Sequence, residues 1–343
     1  MSESKQRIFV FDNVKALLIV LVVLGHAADY YTDQFESMRM FFFYIYLFHM
    51  PLFIFLAGLF SKSTILKDPF RIEKIANFLV LYFILEILFY FIIHYWLGNQ
   101  SYNFNPFVEN GVPWFMFAMA AWLCIGRVIR RVPAYIVLPV SIIAALLIGY
   151  THVGDTLVLS RIITFFPFFI LGFYVKTNDL VESLKAPELK IISWISLVLI
   201  AFTIYFNIDG LYDMRNLLSG RNPYDRVNLE LGIPASGAVM RLLVMVVTIC
   251  MSISVMALMT HKRTWFTVLG TRSLAIYFFH RPILFIYQHY HLNDYLKDAF
   301  PHAWLWIYLA FFLLVSIVLA AAPFEKLLLS IQSFVTRTMK RSV

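Results

Sequence analysis

The chain has 343 residues, of which 61% are hydrophobic and 14% charged, and its formal net charge is +8. Soluble domains carry about 25% charged residues, so this composition excludes a soluble globular protein and indicates a polytopic membrane protein. The positive charge does not require a nucleic-acid partner, because the cytoplasmic loops of membrane proteins carry the same excess.

Ten apolar runs are candidates to cross a bilayer, which takes about 20 mostly apolar residues. They cover residues 12–30, 40–60, 75–97, 114–129, 134–150, 157–175, 191–207, 235–259, 273–290 and 304–322. No repeat or linker divides the chain. The sequence therefore predicts one all-α domain over residues 1–343, a polytopic membrane protein with about ten transmembrane helices in one bundle.

The distribution of Lys and Arg predicts the orientation of this bundle. Most of them lie in the N-terminal segment, in the loops after the second, fourth, sixth and eighth runs, and in the C-terminal tail. The opposite segments hold only Arg39, Arg215, Arg221, Arg226, Arg281 and Lys297. Because cytoplasmic segments are the basic ones, both termini are expected in the cytoplasm of a multi-pass protein of the cell membrane, most simply a bacterial cytoplasmic membrane. The outer loop 208–234 is a candidate part of a substrate site.

The first run carries four ionisable residues on one side. His26 follows Lys15 by eleven residues, which places it about 16 Å further along a helix and about 20° around it. Asp12 and Asp29 fall within about 60° of Lys15 by the same arithmetic. Charged groups inside a membrane usually serve a function, so this polar stripe indicates a site rather than a lipid anchor.

Later apolar runs hold further polar residues that are candidates for a functional or a structural role. His49 lies beside Pro51, where a kink would free backbone carbonyls, although a histidine that simply bonds between helices is the commoner case. Tyr277 and His280 are three residues apart and share a helix face. The nine histidines are dispersed and no metal site is predicted, while Cys124 and Cys250 are expected to be buried small hydrophobes.

Several segments together resemble the acyltransferase 3 family of integral membrane acyltransferases, and in particular its fucose 4-O-acetylase-like branch. Lys15 and His26 match that family's basic-X10-His motif, and Asp12 matches the aspartate that usually precedes it. The other matching segments are 48–58 (FHMPLFIFLAG), 71–74 (RIEK), 113–115 (PWF), 161–172 (RIITFFPFFILG) and 269–280 (LGTRSLAIYFFH). Lys74 departs from the family's RxxR motif, and Ala57 stands where serine is common.

The resemblance implies transfer of an acyl group, usually acetyl, from cytoplasmic acyl-CoA to a carbohydrate hydroxyl of a cell-envelope, exported or lipid-linked sugar. His26 is then the general base, since a neutral imidazole can accept the hydroxyl proton. Asp12 and Lys15 would pair, and would hold the cytoplasmic mouth of the site or contact the donor. Asp29 would orient His26 or merely end the helix.

The remaining roles follow from the same comparison. Arg71 and Lys74 would bind the phosphates of acetyl-CoA, although ordinary cytoplasmic loop charge explains them equally well. Arg161 and Arg241 would bind the acceptor or stabilise the oxyanion; the alternative is a structural ion pair with Glu86. Tyr277 and His280 would line the cavity.

Two other functions remain open at this point. Ten spans with buried charges also suit a transporter or exporter of a small polar or sugar-like solute, although the repeated halves and paired helix breaks of many transporters are not seen. A non-catalytic scaffold of a polysaccharide assembly complex is the third possibility, and it predicts that Lys15, His26 and Arg71 can be replaced without consequence.

Overall fold

The computed structural model of the protein describes residues 7–108, 111–154, 156–221, 223–226 and 236–341. These residues are helical apart from turns, loops and one isolated β-bridge between Val108 and Thr156. The α-helices are α1 (Phe9–Asp29), α2 (Glu36–Tyr46), α3 (His49–Ile65), α4 (Ile72–Tyr90), α5 (Trp114–Ile129), α6 (Ala134–Leu147), α7 (Leu159–Tyr174), α8 (Thr177–Ser183), α9 (Pro187–Tyr212), α10 (Arg215–Leu218), α11 (Ser236–Leu258), α12 (Thr267–Thr271), α13 (Ser273–His289), α14 (Leu292–Ala299), α15 (Trp304–Leu319) and α16 (Ala322–Arg341). A π-helical segment, Phe91–Trp96, continues α4.

The all-helical prediction is confirmed, and helix occurs within each of the ten apolar runs. By length and hydropathy, five helical segments in the described part of the chain could cross a membrane, or seven if the bent pairs α7–α8 and α15–α16 each count as one span. The number of crossings and the side of the termini therefore stay predictions. Residue 235, where the eighth run begins, and residues 222 and 227–234 of the predicted substrate loop lie outside the described residues.

Three expectations differ from the structure. Cys124 and Cys250 are exposed rather than buried. Arg281, which was counted with the outer segments, lies inside α13. The second run is two helices rather than one, with a break at Leu47 and Phe48. Pro51 explains the break, because its nitrogen carries no hydrogen to bond the carbonyl of Leu47; the hydroxyl of Thr248 donates to that carbonyl instead, at 2.6 Å.

Helix α1 is the centre of the bundle and packs against α2, α3, α12, α13 and α15. Most of its apolar side chains are buried, and Val14, Leu18 and Ile19 have 0% exposure. Large apolar side chains instead cover the outward faces of the peripheral helices, among them Ile143 and Leu147 on α6, Trp194, Leu199 and Phe206 on α9, and Trp306 and Leu314 on α15. An apolar surface of this extent is stable against lipid rather than water.

Helices α3 and α7 approach each other closely and cross at glycines. A Cβ atom on Gly58 would lie 1.9 Å from the carbonyl oxygen of Phe169, and one on Gly172 would lie 2.0 Å from that of Phe55. Small residues let helix backbones come this near within a membrane. The two glycines thus set the position of α3, which carries His49 at its first residue.

We expect the Gly58→Ala variant to be less stable than the wild type by about 1–3 kcal/mol, the usual cost of overpacking a close contact. The comparison is the midpoint of thermal unfolding of purified protein in detergent. Gly210→Ala is the matched control, because Gly210 is also helical but has nothing within 4 Å of the added Cβ. Equal midpoints for both variants would contradict the assigned role of the α3–α7 crossing.

Candidate active site

Asp12 lies between two basic side chains at the N-terminal end of α1. Its Oδ1 is 2.8 Å from Lys15 Nζ, and its Oδ2 is 2.6 Å from Arg7 Nε. The pairing of Asp12 with Lys15 is the one that their spacing predicts. Lys15 Nζ also lies 5.3 Å from the centre of the Phe60 ring. Asp12 therefore compensates the charge of Lys15 and helps to keep its ammonium group in place.

Asn13 anchors this end of α1 to the loop between α11 and α12. Its side-chain nitrogen donates to the carbonyls of Thr260 and Lys262 at 2.8 and 2.9 Å. Its oxygen accepts from the hydroxyl of Thr267 at 2.6 Å. The side chain is fully buried, and both its nitrogen and its oxygen are hydrogen-bonded. Such a network fixes the position of α1 along its axis and its rotation about that axis. It thereby also fixes the positions of Lys15 and His26.

A cavity of about 210 Å³ begins at Lys15, and we call it the Lys15 cavity. Its walls are almost entirely apolar. They comprise Lys15, Val22, Met50, Phe53, Leu56, Ala57, Phe60, Phe78, Phe115, Met116, Met119, Ser273, Leu274 and Tyr277. A narrow apolar passage with one cation at its end suits an extended, mostly uncharged chain that carries an anionic group.

Arg71 and Lys74 lie at the start of α4, at the same end of the bundle as Lys15. Phe78, which lines the Lys15 cavity, follows them by seven and four residues. Residues at these spacings share one helix face. The face of α4 that reaches the cavity therefore also carries both basic residues, which are partly or fully exposed.

His26 lines a second cavity of about 100 Å³, which we call the His26 cavity. Val22, Met50 and Tyr277 border both cavities, so the two adjoin. The other lining residues are His26, Tyr46, His49, Gly111, Val112, Trp114, Arg161, Phe165, Leu218 and Ser219. The loop residues among them belong to the end of the bundle opposite Lys15, so the two cavities together lead from one end towards the other.

The ring of His26 is held by two aromatic neighbours. Its Nδ1 is 3.4 Å from the hydroxyl of Tyr46, and its ring stacks on that of His280 with 5.4 Å between ring centres. Asp29 ends α1, where its side chain is exposed and has Arg281 and Arg215 as cationic neighbours. The contact at Nδ1 is therefore made by Tyr46 and not by Asp29.

His49 contributes a second imidazole to the His26 cavity. Its Nδ1 donates to the carbonyl of Ile45 at 2.9 Å, which leaves Nε2 as an acceptor. Its ring packs edge-on against Tyr46, with 4.6 Å between ring centres. The bond to Ile45 fits a histidine with a purely structural role. His49 also lies in the cavity wall, however, where a substrate could contact it.

Tyr277 of helix α13 lines both cavities, whereas His280, which was predicted to line the cavity with it, is in the lining of neither. The hydroxyl of Tyr277 donates to the carbonyl of Val112. His280 is 1% exposed, and its Nδ1 donates to the carbonyls of Tyr277 and Ile276 at 2.8 and 3.1 Å. Tyr277 thus separates the cavities as a wall residue, whereas His280 supports the ring of His26 from behind.

The two intramembrane arginines lie in different places. Arg161 lines the His26 cavity, with its guanidinium carbon 4.8 Å from the centre of the Trp114 ring. Arg241 borders a separate, smaller cavity and bonds the carbonyl of Ala145. Glu86 is buried in α4 and is an electrostatic neighbour of Tyr102. In the described part of the chain, Arg241 does not pair with Glu86.

Several residues of the site were missed in the sequence. Tyr46 and Arg7 belong to no motif that we recognised, and Asn13 gave no signal at all. Arg281 is an electrostatic neighbour of His26. This was not predicted, because Arg281 was counted with the outer segments. The sequence did signal His49, which lies beside Pro51 and within the matching segment 48–58. No group of His, Cys, Asp and Glu in the described part of the chain could hold a metal ion.

Comparisons with known proteins show what the chain is similar to. A family model described as an acyltransferase domain matches residues 8–323. The nodulation protein NolL of Sinorhizobium fredii is 42% identical over 71 residues, 20% of this chain and 19% of that protein. NolL of Mesorhizobium japonicum is 28% identical over 178 residues, 48% of this chain and 46% of the relative. Each alignment thus spans less than half of the relative's length. No solved structure matches the chain.

Proposed function

The chain belongs to the acyltransferase 3 family of membrane acyltransferases, and from this premise we propose that it moves an acetyl group from acetyl-CoA to a hydroxyl of a cell-envelope, exported or lipid-linked carbohydrate. The observation that carries this proposal is the pair of adjoining cavities, one reached past Lys15 and the other lined by His26. Two substrates can approach a shared point from opposite ends of the bundle without meeting in solution.

The Lys15 cavity is the proposed donor site. CoA has an anionic nucleotide end and a long, uncharged pantetheine arm that ends in the thioester. Arg71 and Lys74 lie on the helix face that leads to the cavity and supply cations for the phosphates. Aromatic and aliphatic walls then surround the arm, and Tyr277 stands where the thioester would reach the second cavity.

The His26 cavity is the proposed acceptor site. Aromatic side chains such as Trp114 present flat faces to a sugar ring, while Arg161 offers charged donors. His49 Nε2, which the Ile45 bond leaves as an acceptor, receives a hydrogen bond from a second hydroxyl of the sugar. This arrangement favours an acceptor with neighbouring hydroxyl groups over a simple alcohol.

The transfer itself needs one proton acceptor near the reacting hydroxyl. In the tautomer required here, His26 Nδ1 donates to the oxygen of Tyr46, which leaves Nε2 free to accept the hydroxyl proton. The sugar oxygen attacks the thioester carbonyl, a C–O bond forms and the C–S bond breaks. The imidazolium then returns the proton to the sulfur, so the products are the sugar ester and free CoA. Arg161 is placed to stabilise the oxyanion or the acceptor.

Mass spectrometry of envelope glycans and lipid-linked sugars tests this function. A strain that lacks the gene should lose the mass of one acetyl group from one carbohydrate, and the intact gene should restore it. Loss of a heavier acyl group would keep the reaction but replace the donor. If no carbohydrate changed mass, while the purified protein moved a polar solute across liposomes without CoA, the chain would be a transporter.

A further inference from the structure

Arg241 is a buried charge without a counter-charge among the described residues. Its side chain lies in α11 and is 2% exposed. Nη1 donates to the carbonyl of Ala145 at 2.8 Å, whereas Nε and Nη2 are buried and have no hydrogen-bond partner in the part of the chain that the structure describes. A carbonyl carries no net charge, so this one bond leaves the positive charge uncompensated. In a low-dielectric interior such a group is very unfavourable unless something pairs with it.

The aromatic ring beside Arg241 does not supply the missing negative charge. The guanidinium carbon is 4.6 Å from the centre of the Tyr224 ring, and the phenol donates to the carbonyl of Leu146 at 2.8 Å. Burial raises the pKa of Tyr224 to about 12, so the phenol is neutral at physiological pH. The ring contributes a cation–π contact only.

Arg241 also lines a small cavity. Its volume is about 20 Å³, and Arg241, Thr164, Thr248 and Tyr46 are among its lining residues. The hydroxyl of Thr164 is also buried without a partner, whereas that of Thr248 already bonds the carbonyl of Leu47. A cavity needs about 10–15 Å³ to hold one water-sized particle, so there is room for one such particle and no more.

We propose that this cavity binds a single monovalent anion of the size of chloride, held by Arg241 and by the hydroxyl of Thr164. A water molecule would complete hydrogen bonds but would leave the charge of Arg241 unbalanced, whereas an anion does both. Carboxylates, phosphates and sugars exceed the space. The site is distinct from the His26 cavity, but the two share Tyr46, Phe165 and Leu218 as walls. A bound anion therefore stabilises the wall that positions Tyr46 next to His26.

Thermal unfolding of the purified, full-length protein tests the proposal without any acyltransferase assay. Sodium chloride replaces sodium gluconate at constant ionic strength, and the midpoint is measured at each chloride concentration. The wild-type midpoint should rise by several degrees and saturate, as expected for a ligand that binds the native state alone. Bromide should act in the same way.

Three variants separate the anion site from general salt effects. Arg241→Met removes the charge and should abolish the dependence on chloride. Thr164→Val should raise the half-saturating chloride concentration about tenfold, the effect of one lost hydrogen bond to a charged group. Thr203→Val is the matched control, because Thr203 bonds only the carbonyl of Leu199 on exposed α9, and it should respond like the wild type. The proposal would be overturned if the wild-type unfolding midpoint did not change with chloride concentration. It would also be overturned if Arg241→Met and Thr164→Val both kept the wild-type response to chloride. Water would then be the occupant.

Discussion

Replacing His26 with alanine should reduce acyl transfer by about 10²- to 10⁴-fold, the range that general-base catalysis supplies. The imidazole borders the His26 cavity, which shares the wall residue Tyr277 with the Lys15 cavity. Without it, the proposed general base is lost. The measurement is the transfer of labelled acetyl from acetyl-CoA by purified protein in liposomes, together with glycan mass spectrometry of the complemented deletion strain.

His152→Ala is the control for this experiment. His152 is also a histidine, but its side chain is 72% exposed and pairs with Asp225 at 2.7 Å, so its loss should leave activity unchanged. Tyr46→Phe should give a smaller loss than His26→Ala, because it removes the contact at Nδ1 and keeps the base. Turnover of the His26→Ala protein at the wild-type rate, with the same unfolding midpoint, would refute the mechanism.

Replacing Lys15 with methionine should raise the KM for acetyl-CoA about 10- to 100-fold, the effect of losing a charged hydrogen-bonding group, while kcat falls less. Among the described residues that line the Lys15 cavity, the proposed donor site, Lys15 is the one cation. Asp12 holds it there, with 2.8 Å between Asp12 Oδ1 and Lys15 Nζ. Steady-state kinetics with varied acetyl-CoA measure the effect. Lys15→Arg should recover most of the affinity, since it restores a cation at the same position.

A surface pair of the same spacing provides the comparison for Lys15. Lys185 contacts Glu182 at 2.8 Å, three residues away on α8, and both side chains are largely exposed. Lys185→Met should therefore change neither KM nor stability, as exposed pairs contribute little. If Lys15→Met altered the unfolding midpoint but not the KM, Lys15 would act only as the structural partner of Asp12.

The first helix shows how far a local pattern can lead. The spacing of Asp12, Lys15 and His26 depends only on helical geometry, which is the same in every helix, so the polar face and the Asp12–Lys15 pair could be predicted. Pro51 similarly predicted a disturbed second span, because the loss of its N–H is a property of the residue itself. Arg161 could be proposed from the cost of a charge in a membrane, although its neighbours could not.

Composition and periodicity alone thus determined that this is a helical membrane protein, where its helices lie, and which ionisable residues of α1 share a face. Only the tertiary structure decided that Tyr46 and His49 surround His26, that Asn13 fixes α1 to a loop some 250 residues away in the chain, and that Arg241 borders a different cavity from Arg161. These contacts join separate helices, and their partners depend on where backbones can approach closely, as α3 and α7 do at Gly58 and Gly172. Such approach is a property of the packed bundle, since an apolar helix face looks the same in sequence whether it meets lipid or another helix.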